Sequence, residues 1–131
     1  MGNEIHQEIE FNAAPQRLYE ALTDAAQFSR FTGGAVAQIQ NSAGGAFSGF
    51  NGMITGMMVE LVPGQRVVQA WRAGNWAPGE YSIARFELQP TKQGTRLVFD
   101  QAGHPAAARE QLDAGWHKMY WEPLKAFLGK I

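Results

Sequence analysis

Three histidines, His6, His104 and His117, are the side chains of this chain best suited to acid–base work near neutral pH or to holding a metal. None stands at ligand-like spacing from another, and without cysteine a metal site would need them gathered with carboxylates, so no metal centre is expected. The pairs Glu10 with His6 and Asp100 with His104 have the residue types of a base and its orienting partner. Neither comes with a recognisable nucleophile. Gly33-Gly34 and Gly44-Gly45 fit no phosphate-binding or dinucleotide motif and read as turns or bulges. No catalytic residue and no cofactor are therefore assigned.

What remains is the chemistry of apolar binding. Trp116, Met119, Tyr120, Pro123 and Phe127 recur every three or four residues, which places them near one face of a helix. Tyrosine and tryptophan each carry a polar atom that needs a partner when buried, and a cavity with a few polar groups supplies one. Met53, Met57 and Met58 add flexible, polarizable side chains that fill core gaps or line an adaptable pocket. The helix that carries this face is read from His104-Pro105 to Leu128 and would run roughly 36 Å, enough to cross a curved sheet. His104 is expected to start it and His117 to be exposed. Pro123 removes one helix hydrogen bond, so a kink is expected there.

The rest of the chain is patterned as strands. Ile5, Ile9 and Phe11 alternate with His6, Glu8 and Glu10, as in a half-buried strand. Pro15 then suits a helix start, with Leu18, Tyr19 and Leu22 at helical spacing. After the cap Thr23-Asp24 a second short helix carries Phe28 and Phe31. Further strands are drawn over 35–40, 46–50, 53–62, 66–72, 80–89 and 95–100, with Asn51-Gly52 as a hairpin signal and Pro63-Gly64 as the next turn. Seven strands on short turns imply a bent antiparallel sheet. Alternation turns Ser82, Ala84, Phe86 and Leu88 inward, together with Leu97 and Phe99, and Val67, Gln69 and Trp71. The parity of 53–62 stays open, because both of its faces are apolar.

Composition excludes several classes. At 131 residues the chain fits one domain over 1–131, with a core that needs no staples. Eleven basic and twelve acidic residues, without long runs of either, speak against nucleic acid. No membrane span and no signal peptide are read, and a cytoplasmic setting is the expectation.

Ala14-Pro15 before Leu18-Tyr19-Glu20-Ala21-Leu22-Thr23-Asp24, then Gly44-Gly45-Ala46-Phe47, Leu61-Val62-Pro63-Gly64, Trp71-Arg72, Gly94-Thr95 and Gly115-Trp116, resemble the ordered landmarks of the START-like, or SRPBCC, superfamily. Within it, Trp71-Arg72-Ala73-Gly74-Asn75-Trp76-Ala77-Pro78-Gly79, Gly115-Trp116 and Tyr120-Trp121-Glu122 are similar to the carboxy-terminal domain of the activator of heat-shock protein 90 ATPase (AHSA-type). The resemblance implies an α+β helix-grip fold: a bent antiparallel sheet around a long carboxy-terminal helix, with two short helices after the first strand. It also implies either an apolar or aromatic small-molecule partner or a chaperone contact. Only four residues precede the first strand, so the separate amino-terminal domain of full-length co-chaperones is expected to be missing, and little stimulation of the chaperone is expected from this chain alone. The leading expectation is a ligand cavity between sheet and helix, lined by Phe47, Gln69, Trp71, Phe86, Phe99, Trp116, Met119 and Tyr120, with Trp76 as a lid in the loop from Gly74 to Gly79. Co-chaperone contact and a cyclase- or hydrolase-type enzyme are the alternatives. The oligomeric state is left open.

Overall fold

The computed structural model describes residues 4–129; Met1–Asn3, the start of the segment read as carrying no signal peptide, and Lys130 and Ile131 lie outside it. The elements are β1 (Ile5–Phe11), α1 (Pro15–Thr23), α2 (Ala25–Phe31), β2 (Gln38–Ile39), β3 (Ala46–Gly49), β4 (Ile54–Val62), β5 (Arg66–Ala73), β6 (Ser82–Thr91) and β7 (Gly94–Ala102). A carboxy-terminal helix follows, built as a 3₁₀ turn (Ala106–Ala108), α3 (Arg109–Trp116), a π-helical turn (His117–Trp121) and α4 (Glu122–Leu128). All seven strands join one antiparallel sheet in the order β1-β7-β6-β5-β4-β3-β2. This is the helix-grip architecture. The two short helices lie on the same face, α2 against α4 and α1 against β5 and β6.

Strand alternation sets the inner face. Val67, Gln69 and Trp71 on β5, Ser82, Ala84, Phe86 and Leu88 on β6, and Thr95, Leu97, Phe99 and Gln101 on β7 are all buried. The open parity of β4 resolves through a bulge between Met58 and Glu60: Met58 is fully buried, while Met57 and Val59 are each 44% exposed on the outer face. The strand expected over 35–40 pairs only at Gln38–Ile39. Asn51-Gly52 closes no two-residue hairpin. Phe50, Asn51 and Gly52 take consecutive left-handed conformations (φ 53°, 58° and 87°), and Asn51 exchanges hydrogen bonds with the backbone of Val36. Those bonds tie the loop to the chain before β2, and residues 50–53 form the four-residue loop of the β3–β4 hairpin, whose register closes at Gly49 opposite Ile54.

The long helix departs from its expected form. His104 precedes it, with the ring Nδ1 against the Pro105 carbonyl at 3.0 Å, and the helix proper begins at Ala106. Its irregular turn falls ahead of Pro123, where the Glu122 N–H donates to the His117 carbonyl five residues back. Pro123 then sits at the start of α4, where a missing N–H costs little. The wider turn also rotates the inward stripe. The buried residues are Trp116, Tyr120, Trp121, Leu124 and Leu128, so Trp121, Leu124 and Leu128 join the core face, while Phe127 packs half-buried against it. Met119 is 45% exposed.

Candidate functional site

Near one end of the sheet, where β4 and β5 run out toward the start of the long helix, a cavity of about 710 Å³ opens to the surface. Its sheet wall is Ile54, Trp71 and Ala73, its helix wall Leu112, Trp116, Met119 and Tyr120, and its ends are Phe50 and Met53 on one side and Trp76 on the other. Gly56 stands opposite Trp71 in the sheet register, and a β-carbon there would collide with the Ala70 carbonyl oxygen. Only glycine lets β4 lie this close to the β5 backbone.

Buried amides fix the tryptophans. The Trp116 indole donates to Gln101 Oε1 at 2.8 Å, the Gln101 amide donates to Ser82 Oγ at 3.0 Å, and Ser82 donates to the Trp71 carbonyl at 2.8 Å. The Trp121 indole donates to Gln7 Oε1 at 2.6 Å, and the Gln7 amide donates to Asp113 on α3. These bonds satisfy polar atoms whose burial would otherwise cost about 1–3 kcal/mol each, and they pin the helix to β7 and β1. The Trp71 indole donates to the Tyr120 hydroxyl at 3.4 Å. Burial holds that phenol far above its ordinary pKa, so it keeps its proton.

The loop after β5 is clamped. Arg72 Nη2 donates to the carbonyls of Trp76 at 2.7 Å and Ala77 at 3.2 Å, and its Nε donates to that of Glu80 at 3.2 Å. Trp76 is thereby held against Trp71, ring centroids 5.7 Å apart, and is only 9% exposed. It forms a wall of the cavity. The Glu80 carboxylate accepts from the Ala77 N–H and so caps the same loop.

Of the residues expected at the site, Trp71, Trp76, Trp116, Met119 and Tyr120 meet around the cavity. Phe47, Gln69, Phe86 and Phe99 do not line it. They are buried in the packed interior, where Phe99 lies 4.2 Å from Trp116 and Phe86 5.9 Å, centroid to centroid. The reason is the bulk of Trp116, Tyr120 and Trp121, which fill the space between sheet and helix beneath them and leave this cavity toward one end. Gln101 and Gln7 went unassigned, although extending the alternation of Leu97 and Phe99, or of Ile5 and Ile9, turns both inward. Met53 is one of the methionines expected to fill core gaps or line a pocket, whereas Phe50 and Leu112 carry no such signal. Among the described residues no three of His, Cys, Asp and Glu gather as a metal site, and no helix is long and apolar enough to cross a membrane.

The family model described as Activator of Hsp90 ATPase homolog 1-like protein matches residues 12–129. The chain belongs to this family. Its relatives include the activator of 90 kDa heat shock protein ATPase homolog 2 of Mus musculus, 29% identical over 118 residues, and homolog 1 of Homo sapiens, 29% identical over 119. Those alignments take in 90% and 91% of this chain but 35% of each relative, so the chain spans about a third of their length. Among solved structures, an HSP90 activator from Plasmodium falciparum superposes with a TM-score of 0.87 at 28% identity, over 96% of this chain and 94% of that one. The Aha1 dimer of Colwellia psychrerythraea shares the fold, with a TM-score of 0.79 at 21% identity.

Proposed function

We propose that this AHSA1-family domain is a co-chaperone-type module that docks on an Hsp90-type chaperone and stimulates its ATPase. The observation that carries the reading is the near end-to-end match to the Plasmodium falciparum HSP90 activator, which extends over 94% of that chain. The match thus takes in nearly the whole of a chain that bears that description, at 28% identity.

The outer sheet face supports a contact. Met57 on β4 faces Ala70 on β5, which faces Ile83 on β6, giving an apolar row whose ends are 44% and 47% exposed. Arg66, bonded to Glu60 and Glu87, and Arg85, bonded to Glu87, border it. An apolar centre with a polar rim is the anatomy of a protein interface. Ile83→Glu is expected to weaken binding to the cognate Hsp90 at least tenfold in isothermal titration while leaving the urea midpoint unchanged. Undiminished binding would move the contact elsewhere.

The cavity favours a second reading, capture of an apolar or aromatic small molecule. Its volume lies within the range of drug-sized sites, and tryptophan, tyrosine and methionine dominate its walls. The indoles of Trp71, Trp76 and Trp116 all border it, so occupancy should change tryptophan emission. Titration with apolar probes that leaves the emission unmoved would remove this reading.

A further inference from the structure

Gln69 is the buried polar group that nothing so far explains. It is 1% exposed, its amide Nε2–H reaches only Met58 Sδ at 3.7 Å, and its Oε1 has no partner among the described residues. The sheet register shows what covers it. Gln69 lies in the inward row Met58, Gln69, Ala84, Gln101, between the row of Trp71 and the row of Val67, Phe86 and Phe99. Tyr120 takes a hydrogen bond from Trp71 and its ring lies 6.4 Å from that of Phe86, so it spans the two rows that flank the row of Gln69. The same tyrosine is the inner wall of the cavity. Its hydroxyl accepts from Trp71, yet no acceptor for its own hydrogen is found among the described residues.

An acceptor without a donor and a donor without an acceptor thus lie on facing elements of the grip, Gln69 on β5 and Tyr120 on the long helix. A single hydroxyl group satisfies both, because it donates one hydrogen and accepts on its oxygen. The wall is carried on irregular backbone: Tyr120 belongs to the π-helical turn, and Phe50, 5.6 Å from it, is held at a φ of 53° that bulky residues seldom adopt. Such segments concentrate where ligands are clamped.

We propose that the cavity takes hydroxylated apolar molecules, an alcohol or phenol on an apolar body, whose hydroxyl passes the Phe50–Tyr120 wall and seats between Gln69 Oε1 and the Tyr120 hydroxyl. The inference rests on the small-molecule reading of the cavity. Tryptophan-emission titrations with 1-decanol and with decyl methyl ether, which lacks the donor, test it in the wild type, Gln69→Leu and Tyr120→Phe. Wild type should bind the alcohol about tenfold more tightly than the ether, the factor one well-made hydrogen bond supplies. Gln69→Leu should erase that preference and keep the ether affinity, and Tyr120→Phe should reduce it. Equal affinity of wild type for both probes, or an alcohol preference that survives in Gln69→Leu, overturns the proposal, leaves the cavity reading standing and assigns the amide to buried water. Binding of neither probe overturns both. Should a variant fail to fold, the wild-type comparison alone still decides.

Discussion

Two glutamines in the same inward row have opposite consequences. Gln101 joins Trp116 to Ser82, whereas Gln69 Oε1 is unpartnered. Gln101→Leu strands the Trp116 N–H and should cost about 1–3 kcal/mol in urea unfolding, while Gln69→Leu replaces an orphaned amide and should cost nothing or stabilise slightly. The reverse order would contradict the assignment. His6, on the exposed side of β1, makes hydrogen bonds with Asp100 at 2.6 Å and Glu8 at 2.9 Å, and these raise its pKa above 6.5, Asp100 foremost. Its contribution is full below about pH 6.5, where the ring is charged even in the unfolded chain, and fades as pH rises through the higher folded value. Because the pair is exposed, the effect should stay well under about 1 kcal/mol. His6→Gln should therefore flatten the small fall in urea midpoint between pH 6 and 8; an unchanged slope would rule the linkage out. At this scale the sequence shows which residues point inward, through alternation, but not their partners, since Gln7 and Trp121 meet across 114 positions.

Elements differ in how openly their residues declare them. β6 is legible because every second side chain obeys the pleat, whereas the long helix is misread in its stripe because one π turn shifts each later position. Counting at 3.6 residues per turn carries Trp121 outward, and the structure buries it, while Met119, expected inward, lines the open cavity at 45% exposure. The loop after β5 depends on Arg72, whose planar fork spans three carbonyls that a lysine ammonium cannot meet together. Arg72→Lys should speed amide hydrogen exchange over 74–80 and shift tryptophan emission as Trp76 loosens, with the protection of β6 and β7 unchanged. Exchange that accelerates equally in the core strands would mean that the clamp supports the whole fold and not this loop.

For the molecule as a whole, the order of landmarks along the chain carries the fold, because short turns leave few ways to lay seven strands around one helix. Where the free volume lies is not written in that order. It follows from how three large aromatic side chains of one helix fill the grip, which moves the cavity toward Trp76 and away from Phe86 and Phe99. Function is less legible still, since one fold serves many activities. The most direct test of the co-chaperone reading is the steady-state ATPase rate of the cognate Hsp90 titrated with this chain. A saturable rise, absent with Ile83→Glu, is the expected result. A rate that stays at the unstimulated level up to a large molar excess of folded protein would contradict it.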